Sequence, residues 1–130
     1  MHLQGSAQRL TIVVDEADQW HHRPLYVEIV HRAHRQGLAG ATVLRGIEGF
    51  AAGSTIHAAH LFALGEHLPA VIVIVDDHQR IAQFLPTLDE ILHKGVVLLD
   101  DVEVIRYVAA PRQRPAADGL RRRWQQTSEP

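Results

Sequence analysis

The chain has no cysteine, which excludes disulfides, thiol catalysis and cysteine-ligated metals. It has no run near the roughly 18 consecutive apolar residues of a membrane span. Its first residues also lack the basic-then-apolar pattern of a signal peptide, so a cytoplasmic location is expected. Charge of one sign is scarce: a net −2 over 130 residues gives no reason to expect a nucleic-acid partner. Catalytic constellations are equally thin. Ser54 and His57 are close in sequence, but no acid is spaced to orient the imidazole. Asp76-Asp77 reads as a helix cap and Asp100-Asp101 as a polar turn or bulge between two strands, so no enzyme activity is expected.

What is present is 46% hydrophobic residues, enough for one core, hence a single domain with tails. Residues 1–8 are polar and unpatterned and read as a flexible leader, residues 9–109 as the folded domain, and residues 110–130 as a flexible tail. In that tail five arginines (Arg112, Arg114, Arg121, Arg122, Arg123) stand against Asp118 and Glu129, a net +3 that leaves −5 on the remainder. It reads as a solubilising segment in preference to an anion contact.

Within the domain, residues 9–14 form a β-branched run of strand length. Pro24 suits a helix start, and Leu25, Ile29, Val30 and Ala33 recur at helical spacing until Gly37, with Glu28, His31, Arg32 and Arg35 expected on the outer side. A strand over 41–45 and the wholly apolar strand 70–75 enclose a glycine-containing excursion, residues 46–69. A loop of that length inside a compact domain ordinarily has a task. Ile81, Phe84, Leu85, Leu88, Ile91 and Leu92 then trace a second helix, with Pro86 expected to kink or divide it and Gly95 to end it. Strand character closes the domain over 96–99 and 102–108. The order is strand, helix, strand, loop, strand, helix, strand. Two helices of this length pack side by side on one face, and right-handed crossovers then give an α+β, ferredoxin-like βαββαβ sandwich with an antiparallel sheet. The other sheet face is left open and apolar, and association of copies through it is the natural way to cover it.

Two clusters carry candidate chemistry. Gly46, Gly49 and Gly53 follow Arg45 closely, a pattern in which backbone N–H groups and a guanidinium can cradle an anion. Ten histidines include His31 with His34 and His57 with His60, each pair three apart. On a helix that spacing puts both rings on one side, but no third ligand recurs in a recognisable pattern nearby, so surface or hydrogen-bonding roles are favoured over metal binding.

The stretches Pro24-Leu25-Tyr26, the unbroken run from Gly37 through Arg45-Gly46-Ile47-Glu48-Gly49-Phe50, Ser54-x-Ile56-His57, Leu68-Pro69 and Val102-Glu103-Val104-Ile105-Arg106-Tyr107 resemble the family known as domain of unknown function 190. The resemblance extends from about Arg9 to Val108. It implies a PII-like regulatory protein: a ferredoxin-like homotrimer that binds adenine nucleotides in clefts between subunits and signals to a target protein through a long T-loop, here residues 46–68. By position it nominates Arg45, Gly46, Gly49, Phe50 and Ser54 as ligand-binding residues. The segment after the second helix, Lys94-Gly95, is shorter than the phosphate loop of PII proteins, which argues against a triphosphate. The alternative is a divalent-metal-binding or metal-homeostasis protein using His57 and His60, similar in architecture to divalent-cation tolerance proteins.

Overall fold

A computed structural model describes residues 3–49, 57–58 and 68–110. In chain order the elements are β1 (Gly5–Asp15), β2 (Gln19–Trp20), β3 (Arg23–Pro24), α1 (Leu25–Arg35), β4 (Thr42–Arg45), β5 (Glu48–Gly49), β6 (His57–Ala58), β7 (Pro69–Asp76), α2 (His78–Ile91) and β8 (Val96–Val104). The four long strands form one antiparallel sheet in the order β4-β7-β1-β8, the ferredoxin-like arrangement of a βαββαβ chain.

Alternation in the two central strands decides which face is covered. Leu10, Ile12 and Val14 of β1 and Ala70, Ile72 and Ile74 of β7 are buried under the helices. There they meet Leu25, Ile29 and Ala33 of α1 and Ile81, Phe84, Leu88 and Ile91 of α2, with Phe84 the largest fully buried side chain. Among the described residues both helices contact this one layer and each other.

Asp77 caps α2, its carboxylate accepting from the Arg80 N–H at 2.8 Å. Asp76, fully buried, instead accepts from the backbone N–H of Ala39 and of Asp77 at 2.9 and 2.7 Å, tying the approach to β4 onto the end of β7. Gly37, at φ +78°, ends α1 as expected.

Several boundaries differ from the sequence reading. β1 begins at Gly5, ahead of the β-branched run, and β8 passes through Asp100 and Asp101 without the expected bulge. The two differences have one cause. Arg9 lies opposite Asp100 and donates to it through Nε and Nη2 at 3.1 and 2.7 Å, while Gln8 donates to Asp101 at 3.2 Å. Residues that look like punctuation along the chain are cross-strand partners in the sheet. β8 then stops at Val104, short of the expected 108.

Helix α2 is also unbroken across Pro86 and ends at Ile91 rather than running to Gly95. Pro86 and Ala82, whose carbonyl lacks its usual helical partner, are both exposed, so water can replace the missing bond. Glu28, by its spacing an outer-side residue of α1, is buried. The turn formed by β2 and β3 brings Arg23 over it, and Arg32 and Arg35 reach it along the helix.

Candidate functional site

The stem of the long loop is built where three strands end. Arg45 closes β4 opposite Ala70 of β7, which in turn lies opposite Val14 of β1. Two backbone bonds fasten this corner: Gly46 N–H donates to the Pro69 carbonyl at 2.7 Å, and Glu16 N–H donates to the Leu68 carbonyl at 2.8 Å. The turn carrying Glu16 is braced by Ala17 N–H on the Asp15 carboxylate at 2.8 Å and Asp18 N–H on the Asp15 carbonyl at 3.0 Å.

Arg45 reaches into this corner and forms a forked ion pair with Glu16, with Nε and Nη2 donating to Oε2 and Oε1 at 2.5 and 2.8 Å. Those hydrogen bonds, and then the charge of Glu16, hold the guanidinium more firmly protonated than usual. Asp18 draws Lys94 into the same turn at 3.5 Å, so the short segment after α2 meets the loop stem through an acid.

Gly46 is required by contact, and Gly49 packs closely on the same proline. A Cβ on Gly46 would lie 2.3 Å from Pro69 Cγ, and one on Gly49 would lie 3.1 Å from the same atom. Gly46→Ala should therefore force the stem apart, costing about 1–3 kcal/mol. Gly49→Ala, whose neighbour need yield only slightly, should cost far less. Thermal melts of the two variants check this; equal losses would mean the proline contact does not govern the stem.

Of the nominated ligand residues, Gly46 and Gly49 lie against Pro69 and Arg45 stands opposite the adjoining Ala70, while Phe50 and Ser54 lie outside the described residues. Of the candidate metal pair, His57 sits in β6 opposite Gly49 of β5, and His60 lies outside the described residues. Among the described residues no group of three or more side chains could hold a metal ion. Sequence reasoning missed Glu16 and Asp18. Both sit in what reads as a polar connection, and only the Asp-x-x-Asp turn spacing hinted at order there.

The second feature is the uncovered side of the sheet. Cross-strand register places Leu44, Val71, Val13 and Val96 in one row across all four strands, on the face away from the helices. The neighbouring row runs Thr42, Val73, Thr11 and Leu98. At the edges Leu44 and Val96 are 55% and 51% exposed, and Leu98 is 53% exposed. The row is apolar across all four strands, half-buried at Val13 and Val71 and exposed at its two edges.

Comparison with known proteins matches residues 7–104 to the family model DUF190, described as "Uncharacterized ACR". A UPF0166 protein of Aquifex aeolicus is 38% identical over 96 residues, covering 74% of this chain and 90% of the relative. Among solved structures, a putative PII-like signaling protein from Thermus thermophilus superposes with a TM-score of 0.59 at 16% identity, over 80% of this chain and 94% of that one. CPII of Thiomonas intermedia, a nitrogen regulatory PII-like protein bound to ADP, AMP and bicarbonate, gives a TM-score of 0.55 at 18% identity, over 79% and 97%. Likeness at these identities is one of fold. Among the described residues no helix is long and apolar enough to cross a membrane.

Proposed function

We infer, since the chain belongs to the DUF190 family and carries the PII-like fold, that it is a PII-like regulatory protein in which a small anionic ligand is read out by the loop at residues 46–68. In this reading three copies shelter their open sheet faces against one another. An adenine nucleotide of one or two phosphates settles in the clefts so formed, against Arg45, Gly46, Gly49, Phe50 and Ser54. The loop then presents a different surface to a target protein; only a ligand with unequal affinity for the two loop states can carry that signal. The role is regulatory, with no chemical step assigned to any residue.

The observation that carries this reading is the joint placement of an exposed arginine and two contact-constrained glycines at the stem of the loop, on a sheet with one apolar face uncovered. The nucleotides held by the structural neighbour from Thiomonas supply the ligand class. The second reading is divalent-metal binding through His57 and His60, of which His60 lies outside the described residues. Calorimetric titration with ADP tests the reading. Arg45→Ala should weaken ADP binding through loss of a charge-assisted contact; unchanged affinity would remove Arg45 from the site.

A further inference from the structure

The cation assigned to the ligand is already occupied. Arg45 offers Glu16 the Nε–Nη2 fork through which a guanidinium grips a phosphoryl group or a carboxylate. The two partners are unequally held. Glu16 is 13% exposed and anchored by its own N–H to Leu68, while the Arg45 side chain is 63% exposed. The carboxylate is the fixed member and the arginine the one able to swing away.

We propose that Glu16 is an internal competitor that sets the ligand specificity of Arg45, yielding the guanidinium to a phosphoryl dianion and withholding it from a monocarboxylate or bicarbonate. The inference rests on the anion-binding reading above. A monoanion that replaces Glu16 exchanges one single-charge, two-oxygen fork for another. It also loses translational and rotational freedom, a cost that the tethered Glu16 does not bear. The exchange gains nothing. A phosphoryl group brings a charge of roughly −1.5 to −2 and three acceptor oxygens, so it draws the guanidinium off the glutamate. Because Glu16 N–H is bonded to the Leu68 carbonyl and Gly46 N–H to that of Pro69, the carboxylate that Arg45 releases remains beside the far stem of the loop. Occupancy at Arg45 is thereby felt where the loop returns to the sheet.

The test titrates AMP, inorganic phosphate and acetate separately into the wild type, Glu16→Gln, Glu16→Asp and Arg45→Ala, with circular dichroism melts to establish that each is folded. The wild type should bind AMP and ignore acetate. Glu16→Gln should bind AMP about tenfold tighter, as expected when a competing charge-assisted contact is removed, and should acquire acetate binding. Glu16→Asp, too short to keep the fork, should move in the same direction, and Arg45→Ala should abolish every gain. If folded Glu16→Gln binds AMP no tighter than the wild type, or the wild type binds acetate as well as the variant does, the competitor role is overturned. If inorganic phosphate binding appears on removing Glu16 and depends on Arg45, while no protein binds AMP, the competitor stands and the nucleotide reading falls. If none of the three anions binds any of the folded proteins, both are overturned.

Discussion

Replacing Val71 with aspartate should give a folded single-chain particle at micromolar concentration. Val71 stands inside the apolar row formed with Leu44, Val13 and Val96, on the sheet face away from the helices. In an isolated chain an aspartate there points to water, and the core around Phe84 on the other face is untouched. In an assembly that closes these faces together, each copy would bury an unpaired carboxylate. That costs several kcal/mol per chain, and the penalty recurs in every copy of the assembly. Light scattering on the variant and the wild type reads the result. A variant that keeps the wild-type mass would mean association, if any, uses another surface.

Glu28→Gln should lower stability by about 1.5–3 kcal/mol at neutral pH, as expected for removing the charge from a buried acceptor of several guanidinium bonds. Arg32 donates to Glu28 at 3.0 Å and Arg23 and Arg35 approach at 3.3 and 3.4 Å; Arg32 also bonds Glu90 at 3.0 Å and lies 5.8 Å from the Trp20 ring centre. Arg23 and Arg35 are well exposed and regain water when the charge goes, which keeps the loss below that of a fully buried ion pair. The Arg32 hydrogen bond, helped by the charges around it, holds the Glu28 carboxyl below the usual carboxylate range even though burial opposes this. A carboxylate whose folded pKa lies below its unfolded one stabilises the fold above the unfolded value, about 4.3, and that contribution is lost as pH falls through the folded value. The gap in melting temperature between wild type and Glu28→Gln should therefore be constant above about pH 5.5 and narrow in acid. A gap that widens on acidification would contradict the assignment.

Periodicity made the fold legible because the covered face of the sheet and the buried stripes of both helices repeat at the spacing of their own elements. Leu10, Ile12 and Val14 alternate, and Ile81, Phe84, Leu88 and Ile91 fall three or four apart. Register is another matter. Asp100 and Asp101 resemble a turn until Arg9 and Gln8 lie across from them, and those residues are more than ninety positions away. Glu28 resembles an outer-face residue for a similar reason: the turn that covers it is short, with His21 and His22 both at positive φ, and has no Asn-Gly signature. At the candidate site Arg45 and its glycines were legible as a local pattern. Glu16 was not, since its role exists only because the ends of β1 and β4 come to one corner. Phe50, Ser54 and His60 lie outside the described residues, and the sequence alone speaks for them.

Two features depend on each other in this account: a ligand site at Arg45, and a sheet face whose burial against other copies completes that site. Titrating ADP calorimetrically into wild type and Val71→Asp, with solution mass recorded on the same samples, tests that union. The predicted outcome is a three-chain wild type that binds ADP and a folded, single-chain variant that does not, although Arg45, Glu16 and both glycines are intact. A single-chain particle that binds ADP as tightly as the wild type would place the site wholly within one chain and contradict the account.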